Sequence, residues 1–165
     1  MKKVLTALFA LPVLIAAGYV AAQPDYRRIE LTIDIDRPAA EVWAKVGGYC
    51  DISDWLGLDC EITSGDGGIG TVRVLNGGRV TEIMVAQTDL SYGYSQPVRE
   101  GVFYNQYHGF MEARPTGPDS SMLIYTIMMD VSNLEDQAAM DSAIQSREER
   151  FGAALLKMKE IAETF

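Results

Sequence analysis

The chain has 165 residues, 48% hydrophobic and 22% charged, with 14 Lys and Arg against 23 Asp and Glu for a net charge of −9. That length fits one ordinary domain with a real core, and the negative field repels phosphate backbones and anionic headgroups, setting nucleic acid and membrane surfaces aside as partners. A single histidine, His108, and the absence of a Cys-x-x-Cys motif leave a metal site almost nothing to build with, so neither metal nor cofactor is expected.

Residues 1–22 read as an export signal: Lys2 and Lys3 precede an apolar run from Val4 to Ala17, and Val20-Ala21-Ala22 supplies the small-residue ending. Cleavage after Ala22 removes two positive charges and no negative one, so −9 becomes −11. The product, 23–165, is expected in the periplasm or outside the cell, with no membrane insertion after cleavage. Cys50 and Cys60 are the only cysteines, and an even count in an exported chain predicts one disulfide between them.

Ile29, Leu31, Ile33 and Ile35 alternate with Glu30, Thr32, Asp34 and Asp36, the period of a strand with one buried face. Pro38 then suits the start of a short helix, with Ala39, Val42, Trp43 and Val46 on one side and Gly47-Gly48 at its end. Five strands follow, over 71–75, 79–86, 91–96, 107–114 and 122–131, close enough to pair antiparallel. Asn76-Gly77 predicts a two-residue hairpin turn that sets Arg73 opposite Val80 and diagonal to Glu82. Beyond Asn133 the period becomes helical, with Met140, Ile144, Phe151, Leu155, Met158, Ala162 and Phe165 forming one stripe. The fold class is α+β: a curved antiparallel sheet wrapped around a long C-terminal helix, a shape that tends to enclose a cavity.

This order, together with Ala39-Ala40-Glu41-Val42-Trp43, Asp51-Ile52-Ser53-Asp54-Trp55, Gly78-Arg79-Val80-Thr81-Glu82 and Asn105-Gln106-Tyr107, resembles the SRPBCC superfamily of helix-grip proteins. It looks most like the polyketide cyclase/dehydratase branch, and more distantly like birch-pollen-allergen and abscisic-acid-receptor proteins. The resemblance covers about Arg28 to Phe165 and implies an internal pocket used by carriers, receptors or cofactor-free cyclases and dehydratases. It implies that Glu82 matches an acidic pocket residue and that Tyr107 points inward. At Trp55-Leu56, many relatives carry an aromatic residue followed by a polar one, often histidine in the cyclase branch. Leu56 departs from that pattern and speaks against histidine chemistry there.

Gly65-x-Gly67-x-x-Gly70 matches a dinucleotide fingerprint in letters, but a strand rather than a helix follows it and Asp66 is anionic, so it reads as a hairpin connection. His108 alternates with Phe110, Glu112 and Arg114, opposite in face to Tyr107, Gly109, Met111 and Ala113, and is placed on the outer sheet face unless a bulge near Tyr104–Tyr107 swaps the sets. Glu82 shares its face with Val80 and Met84, and two roles remain open for it: structural partner of Arg73, or polar contact for a ligand. Tyr92, Tyr94, Tyr107 and Tyr125 offer rings and hydroxyls suited to an aromatic ligand, and Met84, Met111, Met129, Met140 and Met158 fall on the inward faces. The stretch from Gln96 to Asn105 is either a loop over the cavity mouth or a plain surface loop.

Two functions fit these residues. The first is a carrier or scavenger of a hydrophobic or aromatic small molecule, with Trp55, Arg73, Glu82, Met84, Tyr92, Tyr94, Tyr107 and Tyr125 as candidate ligand contacts. The second is a cofactor-independent lyase, cyclase or dehydratase on an aromatic substrate, with Glu82 and Tyr107 as the acid-base pair.

Overall fold

The computed structural model describes residues 23–98 and 106–164. The expected signal segment 1–22, most of the expected mouth loop, including Tyr104 and Asn105, and the terminal Phe165 lie outside the described residues. The elements run β1 (Tyr26–Ile35), α1 (Ala39–Val46), α2 (Ile52–Leu56), β2 (Cys60–Ser64), β3 (Val72–Leu75), β4 (Val80–Thr88), β5 (Ser91–Gln96), β6 (Gln106–Gly117), β7 (Ser120–Asp130) and α3 (Gln137–Glu163). Every strand pair is antiparallel, in the order β1-β7-β6-β5-β4-β3-β2.

Alternation decides the concave face. Ile29 and Ile35 of β1, Arg73 and Leu75 of β3, Glu82 and Met84 of β4, and Tyr107, Met111 and Ala113 of β6 are all buried. His108, half-buried, is on the convex face beside Phe110, as its alternation requires, and its Nε2 lies 2.6 Å from Gln106 Nε2. The pairing of β4 with β5 shifts register between Met84 and Ala86, at Val85, which alternation already places outward and exposed.

Helix α3 is 27 residues long, and its N-cap Asp136 accepts a hydrogen bond from Ala139 N at 2.8 Å. Phe151, Leu155, Met158 and Ala162 bury the expected stripe against the concave face, while Met140 and Ile144 pack on it partly exposed. Burying three large apolar side chains of this kind contributes about 1.5–3 kcal/mol each. No helix among the described residues is long and apolar enough to cross a membrane.

Three features differ from the sequence expectation. The β3–β4 connection has four residues rather than two: Leu75 pairs with Val80, and Asn76, Gly77 and Gly78 all take positive φ (53°, 64° and 85°). The second glycine makes that longer left-handed run affordable, and Asp59 holds it through Asn76 N and Gly77 N. Arg73 therefore sits directly opposite Glu82 rather than opposite Val80. The other two features are elements that the sequence pattern did not reveal, α2 and the edge strand β2. The Gly65–Gly70 stretch connects β2 to β3, with Gly65, Gly67 and Gly70 all at positive φ, so it is a hairpin connection.

Candidate functional site

A cavity of about 240 Å³ lies between the inward faces of β3 to β6, helix α2 and the first half of α3. Ile52 and Leu56 of α2, Leu75, Val80 and Phe151 give it apolar walls. Glu82, Tyr94, Gln96 and Tyr107 bring polar atoms to the same space.

Glu82 is held from behind. Its Oε2 accepts a hydrogen bond from Arg73 Nε at 2.7 Å and its Oε1 accepts one from Gln96 Nε2 at 2.8 Å. Arg73 Nη2 also stands within ion-pair distance of Oε2, but without hydrogen-bond geometry. Arg73 Nη1 donates to the Tyr49 carbonyl, and the guanidinium carbon lies 4.1 Å from the Tyr49 ring centre, 5.2 Å from that of Tyr94 and 5.7 Å from that of Tyr92. Burial works against the Arg73 charge, but attraction to Glu82, reinforced by Tyr92, Tyr125 and Tyr94, outweighs it and raises Arg73 above its ordinary value.

The Cys50–Cys60 disulfide is present, with the two Cα atoms 5.5 Å apart. It ties the start of α2 to the edge strand β2. Tyr49, the residue before Cys50, supplies the carbonyl that receives Arg73, so this bridge stands one peptide from the polar cluster.

Tyr94 reaches its place because its cross-strand partner is Gly109, where a Cβ would stand 2.2 Å from the Tyr94 ring. From there the Tyr94 hydroxyl meets that of Tyr125 at 2.8 Å, and the ring stacks on Tyr107 with centroids 6.5 Å apart. Burial first, then the neighbouring Tyr125, Glu82 and Tyr107, holds the Tyr94 hydroxyl well above the usual phenol range. Tyr125 is raised in the same way, by burial and then by Tyr92, Glu82 and Tyr107. Both therefore keep their protons at neutral pH and are neutral hydrogen-bonding groups and weak acids.

The structure divides the expected site residues into two sets. Glu82, Tyr94 and Tyr107 line the cavity. Trp55, Arg73, Met84, Tyr92 and Tyr125 do not, because each is covered by other side chains. Trp55 turns edge-on to Tyr125 at 6.1 Å, and Tyr125 is capped by Phe151 at 4.6 Å. Tyr92 packs under Trp43 and Tyr49 at 5.7 and 5.4 Å, Arg73 lies behind Glu82, and Met84 is paired with Tyr94 deeper on β4. Leu56, next to Trp55, faces the cavity instead, so an apolar group occupies the wall where the resemblance implies a polar one. Sequence reasoning missed Arg79, Arg147 and Arg150 at the rim. The clue was there: Arg147 and Arg150 are three apart and lie just before Phe151 of the apolar stripe, and Arg79 directly follows the Asn-Gly-Gly turn.

A seven-stranded antiparallel sheet curved around one helix, with an apolar cavity between them, defines a helix-grip protein. Residues 26–163 match the family described as polyketide cyclase / dehydrase and lipid transport, and the chain belongs to that family. Among solved structures, it is similar to the Zhui aromatase/cyclase from Streptomyces sp. R1128, with 19% identity, a TM-score of 0.69, and 84% of this chain and 94% of that one covered. It is also similar to truncated norcoclaurine synthase from Thalictrum flavum, at 16% identity and a TM-score of 0.65, covering 88% and 98%. Ara h 8.0201 gives 16% identity, a TM-score of 0.65 and coverage of 84% and 98%. At these identities the likeness is one of fold. No curated protein matches the sequence.

Proposed function

We propose that this is an exported carrier or scavenger that holds a hydrophobic or aromatic small molecule in the cavity between sheet and α3. The observation that carries the reading is the composition of the cavity wall: Ile52, Leu56, Leu75, Val80 and Phe151 supply apolar area, and Tyr94, Tyr107, Gln96 and Glu82 supply a few polar contacts. At about 240 Å³ the space lies just below the range of about 300–1,000 Å³ typical of drug-sized ligands, which favours a compact guest of one or two rings or a short chain. Membership of a family named for polyketide cyclisation and lipid transport supports an apolar or aromatic guest. The 1–22 pattern and the disulfide support export to an oxidising compartment.

A second reading, a cofactor-independent lyase, cyclase or dehydratase acting through Glu82 and Tyr107, is favoured by one observation. Glu82, Tyr94 and Tyr107 line the same cavity, so a carboxylate and two phenols reach one guest. Against it, both Glu82 oxygens already accept hydrogen bonds, and protonating this carboxylate would strand Arg73 as an uncompensated buried charge. Binding is the stronger reading.

Native mass spectrometry of the mature protein, purified from an exporting host, tests both. The carrier reading expects an N-terminus at Gln23 and a co-purifying apolar molecule that is unchanged after long incubation. Conversion of that molecule by the wild type, abolished in Tyr107→Phe, would favour the enzyme. A ligand found anywhere but the cavity would contradict both.

A further inference from the structure

The cavity has an apolar interior and a cationic rim. Arg79 stands at the end of the β3–β4 turn, and Arg147 and Arg150 stand on α3 on the same side as Phe151. Three of the chain's 14 lysines and arginines thus converge on one small opening, in a protein whose net charge is −9. They come from two separate elements, the turn and the helix. The one carboxylate among the described lining residues, Glu82, has both oxygens engaged by Arg73 and Gln96.

We propose that the guest is an amphiphilic anion: an apolar or aromatic body lies in the cavity and a carboxylate or phosphate ester lies at the mouth, against Arg79, Arg147 and Arg150. The planar guanidinium fork suits both heads, since each offers two or more oxygens for paired N–H contacts. The local field matters as much as the contacts. An acidic protein repels anions over most of its surface, and three arginines among the described residues at the cavity make approach there more favourable. Arginine stems can also serve merely to cover apolar rim atoms, and the experiment separates that role from head-group recognition.

The inference rests on the cavity reading above, and the test tells their failures apart. The full protein is titrated calorimetrically with 2-naphthol, 2-naphthoate and 2-naphthyl phosphate, which share one body and differ in head. At low ionic strength at least one anion should bind roughly tenfold or more tighter than the alcohol, a preference that shrinks with added salt. Arg147→Gln combined with Arg150→Gln should bring the anion-to-alcohol ratio toward one, whereas Lys157→Gln, on the same helix and paired with Glu160, should keep it. Which anion binds more tightly assigns the head as carboxylate or phosphate. If 2-naphthol binds as tightly as both anions, or if the ratio is unmoved by both salt and the double substitution, the anionic head is refuted and the cavity reading stands. Failure of all three compounds to bind refutes the aromatic-guest reading and this inference with it.

Discussion

Arg73 and Glu82 face each other directly across β3 and β4, joined at 2.7 Å, with 0% and 2% of their surfaces exposed. An ion pair so buried is costly to form and more costly to break, because removing one partner leaves the other desolvated and alone. Arg73→Met or Glu82→Leu alone should therefore destabilise the fold by about 3–5 kcal/mol, while the two together should cost far less than the two single changes combined. Denaturant unfolding of the two single variants and the double variant measures the coupling. Additive losses would show that the pair is not a unit.

Tyr94 depends on the absence of a side chain at position 109. Gly109→Ala places a methyl 2.2 Å from the Tyr94 ring, on backbone that cannot give way without moving β6. The expected loss is about 1–3 kcal/mol from overpacking. The Tyr94–Tyr125 hydrogen bond should break with it, so Tyr125→Phe should cost less in the Gly109→Ala background than in wild type. Equal costs in the two backgrounds would contradict that geometry.

Helix α3 is at once core and cavity wall. Leu155 is 2% exposed beneath the sheet, and Leu155→Ala should cost about 2–5 kcal/mol in denaturant unfolding. A loss below about 1 kcal/mol would mean that the site collapses freely, against the packing described.

Stability should fall at alkaline pH. Burial raises the hydroxyls of Tyr92, Tyr94 and Tyr125 above the ordinary phenol value. Below about pH 10 both folded and unfolded chains keep these protons, so the groups add no slope. Above it the unfolded chain ionises first, binds fewer protons than the folded one and is favoured, so stability is lost as pH rises toward the folded values. Denaturant midpoints taken from about pH 8 to about pH 11 should show these groups' contribution as a decline only above about pH 10, and phenolate absorbance from the buried tyrosines should appear only with unfolding. Phenolate from these three rings in the folded state would contradict their burial.

The long strands and α3 were legible in the sequence because each has one wet and one dry face, and alternation or a helical stripe records that directly. Helix α2 was not, since five residues are too few to display a period, and its cap, Gly57 at φ 66°, is an isolated glycine without context. Strand β2 was not, because it is a sheet edge with four of its five residues exposed and only Ile62 large and apolar. The inward faces of Glu82, Tyr94 and Tyr107 follow from alternation. Their exposure to the cavity does not, because it is α2 and the Phe151 turn of α3 that cover Tyr125 and leave Tyr107 open. The rim arginines escaped notice because Arg147, although four residues before Phe151 and so on the stripe's side of α3, is charged and reads with Glu148 as part of the polar remainder of the helix. Only the folded chain brings it to the same cavity as Arg79.

The central claim is that the space between sheet and α3 receives the guest. Methyl-labelled protein titrated with 2-naphthol reads this directly by NMR. The account predicts shifts concentrated on Ile52, Leu56, Leu75 and Val80, which surround the cavity, with little change at Val85 and Met128 on the convex face. Shifts confined to Val85, Met128 and the exposed Ile62 would place the guest outside the grip and contradict the account.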